Sequence, residues 1–269
     1  MQNSETKKEG CGSRNFQETE DEIVAVTTKS LGRAYPVYWE GLELLKDVIN
    51  LLIDDASNST NEVCKKYSLA YLMLINRAIQ HIESIRLLTE RGLYGNSFVL
   101  IRSLMSDLSM MQYLHYHPEF LDLFLNEGQD EYQANKEFRK NFSESAIEAD
   151  LVSRGVPPFN TAFQVLSKAS HASSFGSQLF GSKGEKKGQY HFNYGPKFEA
   201  EKALLLIDLV ASGHYDLVTN ILFHRHHAKE ELSTENWENV KKRINVLKDK
   251  ILTLTDAVKA TITTMFPTD

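Results

Sequence analysis

The fold is decided by the stretch TNEVCKKYSLAYLMLINRAIQHIESIRLLTERGLYGNSFVLIRSLMSDLSMMQYLH, residues 60–115. Its first part carries apolar side chains three and four residues apart, which is the spacing of one helical face. These side chains are Tyr67, Tyr71, Leu74, Ala78, Ile82, Ile85 and Leu88. Gly92 and Gly95 then favour a turn. The pattern predicts a helix from about 60 to 91, another from 96 to about 115, and an antiparallel hairpin between them.

The rest of the chain continues this helical pattern. Six prolines leave long proline-free runs, and proline inside a helix costs about 3 kcal/mol. We expect capping boxes at Ser59-x-x-Glu62 and Ser145-x-x-Glu148, and a helix interruption near Gly213. Further helices are predicted over 36–55, 118–141, 145–155, 160–170, 199–224 and 234–265. We therefore predict an all-α helical bundle built on the long hairpin.

Composition limits the class of protein. The chain of 269 residues has 42% hydrophobic and 25% charged residues, with a net charge of −6, so a folded core is expected and wholesale binding to nucleic acid is not. Residues 1–22 are polar and predict a disordered tail, with a single helical domain over 23–269. The polar start and the two cysteines favour a cytoplasmic protein without a signal peptide or membrane span. No metal or other cofactor is expected.

The last predicted helix carries a 3.5-residue apolar repeat, which is typical of coiled-coil packing. Its members are Val240, Ile244, Leu247, Ile251, Leu254 and Val258. Two interpretations remain open: a helix that packs within its own bundle, or a homodimer seam through residues 237–265.

A long loop is predicted at residues 172–197, with five glycines, four serines, four lysines and five aromatic residues. Lysines can contact phosphates while aromatic rings stack on bases, so this composition suits single-stranded RNA or a nucleotide. The alternative is a solvated loop that its aromatic residues attach to the core. A short β-hairpin is possible around 189–194. The candidate binding residues are Lys183, Lys186, Lys187, Tyr190, His191 and Tyr194.

Two charged residues, Arg102 and Asp107, interrupt the apolar segment VLIRSLMSDLSMMQYLHY. Five residues on a helix correspond to about 140° of rotation, so the two do not share one narrow face. A carboxylate among apolar side chains needs a buried partner. The two open interpretations are an ion pair between helices and a functional pocket.

Several histidines are also candidates for chemistry. His171 closes a predicted helix, where the helix dipole stabilises imidazolium, and it could equally move protons or contact phosphate. His214 lies on an apolar stripe and is interpreted as a satisfied core histidine. His224, His227 and Glu231 could line one face as metal ligands, although their spacing matches no familiar metal signature.

The segment LYGNSFVLIRSLMSDLSMMQYLHYHP, at Leu93–Pro118, is similar to a segment of bacterial all-helical families of unknown function. In those families a glycine turn leads into a helix that reads roughly L-x-R-S-L-x-E. The segment LSKASH, Leu166–His171, resembles their later L-S-x-x-x-H segment. Families of this build resemble the HEPN superfamily (higher eukaryotes and prokaryotes nucleotide-binding), which includes ribonucleases of toxin–antitoxin systems and phage defence.

The superfamily's ribonuclease motif is an arginine followed, after four to six residues, by a histidine on one helix. Here Arg77 is separated from His81 by only three residues, and Arg102 has no histidine at that spacing. The acidic position of the pattern is Ser106, with Asp107 one residue later. The resemblance therefore implies the helical fold more than RNA cleavage.

These observations lead to one hypothesis and one alternative. The hypothesis is a HEPN-like protein of bacterial defence or stress that binds RNA or a nucleotide. If it cleaves RNA without a metal, Arg102 stabilises the phosphate charge and His171 moves the proton. The alternative is a non-enzymatic, homodimeric interaction protein that uses its last helix.

Overall fold

The protein is a helical bundle in a computed structural model that describes residues 16–125, 133–156, 181–183, 190–192, 197–228 and 234–265. The helices are α1 Phe16–Ser30, α2 Tyr35–Asn58, α3 Glu62–Glu90, α4 Tyr94–Tyr116, α5 Leu121–Leu125, α6 Gln133–Asn141, α7 Glu144–Ser153, α8 Ala200–Ala228 and α9 Thr234–Met265, with a short 3₁₀ turn at Pro118–Phe120. Strands β1 (Gly181–Lys183) and β2 (Tyr190–Phe192) pair antiparallel. The prediction of an all-α bundle is confirmed. Within the described ranges, no helix is long and apolar enough to span a membrane.

Helices α3 and α4 form the predicted antiparallel hairpin. The Tyr67 hydroxyl donates to the Leu114 carbonyl oxygen at 3.0 Å, and the Tyr71 hydroxyl donates to the Met111 carbonyl oxygen at 3.2 Å. Because residue numbers fall along α4 as they rise along α3, the two helices run in opposite directions. The predicted stripe of α3 is buried except at Leu88, which is half-buried.

The turn between α3 and α4 depends on Gly92. Its φ of +70° lies in the left-handed region, which favours glycine, and a Cβ there would collide with the backbone of Lys197. Gly95 is buried inside α4 instead. The backbone N–H of Glu199 donates to the Tyr94 hydroxyl at 2.9 Å. The start of α8 is therefore fixed to the turn of the hairpin.

Two helix starts differ from the predicted capping boxes. The Asn61 side chain accepts hydrogen bonds from the first-turn N–H groups of α3, because the Ser59 hydroxyl is used by the backbone N–H of Asn61, at 3.1 Å. At α7 the cap is Ser143, whose side chain accepts from the N–H of Ala146. The predictions that Ser59 and Ser145 cap these helices are wrong by two residues each.

Helix α1 covers residues 16–22, which the sequence analysis placed in a disordered tail; residues 1–15 lie outside the described ranges. Ile23, Thr27 and Leu31 are buried at four-residue intervals and form a narrow inward face. The Arg91 guanidinium donates to Glu20 at 2.6 Å and fixes α1 beside the end of α3. Because Thr27, the central residue of this face, is polar, the spacing of apolar residues does not predict this helix.

Helix α8 runs without a break past Gly213, so the predicted interruption is wrong. Gly213 is buried, and a Cβ at this position would lie 2.9 Å from Leu104 Cδ2. The glycine therefore permits a close approach of α8 to α4. Helix α9 has the predicted bounds, Thr234–Met265.

The apolar repeat of α9 packs into the core of its own chain. Its buried members, with the preceding tryptophan, are Trp237, Val240, Ile244, Leu247, Ile251 and Leu254. They belong to the same apolar cluster as the buried faces of α2, α3, α4 and α8. The side chain of Val258 lies outside the described part. Over 237–254 the intramolecular interpretation is correct, and the seam on which the homodimer prediction depended is occupied within the chain.

His214 lies in the core, as predicted, but it is not satisfied there. The side chain is fully buried, and neither ring nitrogen has a hydrogen-bond partner among the residues that the structure describes. Its ring packs edge-on against Tyr38, with centroids 5.2 Å apart, and a Cβ at Gly41 would lie 2.9 Å from His214 Nδ1. Burial lowers the pKa of His214 to about 3.

We expect His214 to make the fold sensitive to acid. Between pH 6.5 and 3 the unfolded chain binds a proton that the folded chain does not. The free energy of unfolding therefore decreases as the pH is lowered, by about 1.4 kcal/mol per pH unit. His214→Leu removes this proton linkage. Urea unfolding from pH 8 to pH 4 should show the stability of the variant, relative to the wild type, rising below pH 6.5. Parallel curves would show that His214 does not titrate this way.

Candidate functional site

Helix α4 is surrounded by other elements, so its polar side chains need hydrogen-bond partners on neighbouring elements. Among residues 94–116 only Asn96 is exposed. A buried polar group without a hydrogen bond destabilises the fold. A buried polar atom of α4 that lacks a hydrogen bond therefore lowers the stability of the fold.

The most distinctive polar group is the Arg77 cluster, which we define as Arg77 and His81 of α3 with Asp107 of α4. Arg77 Nε donates to Asp107 Oδ1 at 2.7 Å, and Arg77 Nη2 donates to the same oxygen. His81 Nε2 lies 3.8 Å from Asp107 Oδ2. The Asp107 side chain is fully buried, whereas the Arg77 and His81 side chains are 58% and 22% exposed. A hidden carboxylate thus holds an accessible cation beside a histidine.

The electrostatics of the Arg77 cluster follow from burial. Desolvation raises the pKa of Asp107, and the hydrogen bond and charge of Arg77, with the charge of His81, oppose that rise. Desolvation also lowers the pKa of His81, against the charge of Asp107 and together with that of Arg77. His81 is therefore mainly neutral at pH 7, with a ring nitrogen able to accept a proton.

One oxygen of the cluster is unused. Asp107 Oδ2 is buried and has no hydrogen-bond donor among the described residues. A structural ion pair would normally satisfy both carboxylate oxygens. An exposed arginine and a neutral histidine around a buried, unevenly satisfied carboxylate can bind an anion and accept a proton at the same place.

Arg102, the predicted phosphate-stabilising residue, contacts α7 instead of Asp107. Arg102 Nη2 donates to Glu144 Oε2 at 2.6 Å, and the Ser106 hydroxyl lies 3.3 Å from Glu144 Oε1. The carboxylate that the sequence pattern places near Ser106 is thus supplied by Glu144 of α7. Asp107 pairs with Arg77 of α3, so the interpretation of interhelical ion pairs is confirmed for both charged residues of α4.

The other predicted site residues lie in the second half of the chain. Lys183 is in β1 and faces Tyr190 of β2 in the strand register, while His191 faces Ser182. The remaining candidates lie outside the described residues, and these are His171, Lys186, Lys187 and Tyr194. The side chains of the predicted metal ligands His224, His227 and Glu231 also lie outside. Among the described residues, no group of three or more His, Cys, Asp or Glu side chains could hold a metal ion.

The pairing of Arg77 and His81 with Asp107 was not predicted from the sequence. Only three residues separate Arg77 from His81, fewer than the ribonuclease motif requires, but that spacing places both on one face of a helix, one turn apart. The signal was Asp107, the lone carboxylate of the facing helix. A hairpin that brings α4 against α3 makes Arg77 the nearest available partner.

A second ion cluster, between α2 and α3, provides a structural comparison. Arg86 donates to Glu90 at 2.6 Å and to Glu83 at 3.1 Å, and Tyr35 and Tyr38 donate to these two carboxylates at 2.8 Å and 2.6 Å. The Arg86 and Glu90 side chains are only 16% and 14% exposed. Here both partners are largely shielded from solvent and satisfy each other, which is the pattern of a structural network.

Comparison with known proteins gives one match. Residues 68–157 match the model of a family of unknown function, DUF5677. The matched segment covers about a third of the chain and contains the whole Arg77 cluster. It also contains the Leu93–Pro118 segment, whereas Leu166–His171 lies beyond it. No curated protein and no solved structure matches the chain.

We expect Asp107→Asn to stabilise the fold or to lower its free energy of unfolding by less than about 1 kcal/mol. The substitution removes a buried charge, and the exposed Arg77 is hydrated without its partner. The matched control is Glu90→Gln, which removes a carboxylate partner of the half-buried Arg86 and should lower the free energy of unfolding by about 1–3 kcal/mol. Urea unfolding measures both. A larger loss for Asp107→Asn than for Glu90→Gln would make the Arg77 cluster a structural pair.

Proposed function

We propose that the chain binds single-stranded RNA or a nucleotide through the Arg77 cluster. The observation that carries this proposal is the exposed guanidinium of Arg77, held by a fully buried carboxylate with the neutral His81 alongside. The basic loop at 172–197 supports the same class of ligand. The resemblance to the HEPN superfamily supports it too, together with a role in bacterial defence or stress.

Arg77 is suited to contact a phosphate. A guanidinium carries five N–H donors, and Asp107 receives bonds from Nε and Nη2 only. Donors therefore remain for phosphate oxygens, and the bond to Asp107 fixes the guanidinium plane before the ligand arrives. Because the net charge of the chain is −6, such binding depends on local cations and not on the overall field.

His81 is suited to contact ribose. A neutral imidazole accepts a hydrogen bond from the 2′-hydroxyl, which is the group that separates RNA from DNA. If the bound strand is cleaved, His81 takes the 2′-hydroxyl proton as the 2′-oxygen bonds to phosphorus and the bond to the 5′-oxygen breaks. The departing oxygen then takes a proton from solvent, and Arg77 stabilises the charge on phosphorus.

We expect Arg77→Ala to weaken binding of a short fluorescent oligouridylate by about tenfold, because a phosphate contact is lost. The negative slope of log affinity against log salt concentration should become shallower by about 0.7. Fluorescence anisotropy at several salt concentrations measures both. The matched control is Lys66→Ala, which removes another cation of α3, one paired with Asp122 at 2.7 Å, and it should leave affinity unchanged.

Two outcomes would contradict the proposal. Equal losses for Arg77→Ala and Lys66→Ala would show only a diffuse charge effect. No measurable binding of RNA by the wild type would favour the alternative of a non-enzymatic interaction protein. His81→Ala, tested on RNA and on DNA of the same sequence, should reduce the preference for RNA.

The loop lysines are tested separately. Replacing Lys183, Lys186 and Lys187 by alanine should weaken RNA binding further and lower the salt slope, because backbone phosphates lose their cations. The same anisotropy titration measures this effect. Unchanged affinity in the triple variant would remove the loop from the binding surface and leave the Arg77 cluster as the site.

A further inference from the structure

His81 lies against a carboxylate oxygen to which it makes no hydrogen bond. Its Nε2 atom is 3.8 Å from Asp107 Oδ2, which is too long for a hydrogen bond and too short for another atom to lie between them. Asp107 Oδ2 is buried and has no hydrogen-bond partner among the described residues, while Arg77 donates to the other oxygen, Oδ1. A small movement of the His81 ring would therefore bring an N–H donor to Oδ2.

The His81 ring is open to solvent, unlike the oxygen that it faces. Its side chain is 22% exposed, and neither ring nitrogen is a buried atom without a hydrogen-bond partner. Because Nε2 faces Asp107, Nδ1 is the nitrogen left for a ligand. A ligand at Nδ1 also meets Arg77, which lies one helical turn away on the same face of α3.

The charge of His81 depends on what is bound at Arg77. Burial lowers the pKa of His81, the charge of Asp107 raises it, and the charge of Arg77 lowers it. Within the described part of the chain, these are the charged groups that act on His81, one from the facing helix α4 and one from its own helix. A phosphate on Arg77 neutralises the guanidinium and adds negative charge, so it favours the imidazolium form of His81.

Protonation changes what the His81 ring can bind. In the neutral ring, Nδ1 accepts the hydrogen bond of a 2′-hydroxyl. In the imidazolium both ring nitrogens donate, so Nε2 bonds to Asp107 Oδ2 and Nδ1 bonds to a phosphate oxygen beside Arg77. The neutral form recognises ribose, whereas the charged form binds phosphate whatever the sugar.

We propose that His81 is a pH-sensitive switch of the Arg77 cluster, which selects RNA as a neutral ring and binds the phosphates of RNA and DNA alike as an imidazolium. This inference rests on the proposed function, because it concerns the regulation of the same site. Proton uptake and phosphate binding strengthen each other by linkage. Acid therefore raises the affinity for a strand and lowers the selectivity for RNA.

Two fluorescent strands of equal length test this switch, an oligouridylate and an oligodeoxyuridylate. They differ only in the 2′-hydroxyl, and the second strand cannot be cleaved through a 2′-oxygen. Anisotropy is measured on the full chain at constant ionic strength from pH 8 to pH 5.5, with circular dichroism at each pH to verify the fold. We expect the affinity for the DNA strand to rise about tenfold and the preference for RNA to disappear.

His81→Gln is the variant that decides the origin of the pH dependence. A glutamine side chain keeps polar atoms at this position but does not titrate, so its affinity for the DNA strand should stay constant from pH 8 to pH 5.5. The matched control is His117→Gln, which removes a histidine that is 17% exposed and pairs with Glu119. This control should keep the rise in affinity.

Titration calorimetry detects the proton itself. The DNA strand is titrated at pH 6 in two buffers with different enthalpies of ionisation, and the difference between the binding enthalpies gives the number of protons taken up. We expect the wild type to take up a measurable fraction of one proton for each strand bound, and His81→Gln to take up none.

The outcomes separate this inference from the proposed function. RNA binding that requires Arg77 but does not change with pH would overturn the switch alone. A rise in affinity that persists in His81→Gln, or binding without proton uptake, would overturn it as well. No binding of either strand at any pH would overturn the proposed function and the switch together.

Discussion

The burial of α4 on nearly every side is the constraint on which the rest of the structure depends. A helix in this position can carry apolar side chains freely, but each polar one needs a partner on a neighbouring element. Arg102 finds Glu144 on α7, and Asp107 finds Arg77 on α3. The polar residues of α4 thereby fix which helices lie against it and in which register.

Asp107 Oδ2 and Gln112 Oε1 are buried polar atoms of α4 that have no hydrogen-bond partner within the described residues. Both residues lie inside the segment that matches DUF5677. The Arg86 network shows that the same bundle can satisfy its buried charges where only stability is needed. Unsatisfied buried atoms such as Asp107 Oδ2 lower the stability of the fold.

The sequence predicted the fold well where a single rule decides the structure. The three- and four-residue spacing of Tyr67, Tyr71 and Leu74 predicted the buried face of α3, and the apolar repeat predicted the bounds of α9. Prediction failed where two physical rules compete. Gly213 breaks helices by propensity, yet close packing against Leu104 keeps α8 continuous.

The candidate site was less predictable, because it depends on contacts between helices that no local pattern contains. The apolar surroundings of Arg102 and the resemblance of its segment to L-x-R-S-L-x-E directed attention to Arg102, whose partner is Glu144. The partner of Asp107 could be inferred only once α3 and α4 were placed side by side.

Residues from later parts of the chain contact both ends of α4. Arg154 stacks on Tyr116 at one end of α4, and Glu199 bonds to Tyr94 at the other, about 33 Å away along the helix. Helices α8 and α9 share their apolar core with α2, α3 and α4, and ion pairs of Arg243 with Asp47 and of Lys250 with Glu40 join α9 to α2. Because these contacts do not depend on the backbone between 157 and 196, we expect two fragments cut there to stay associated.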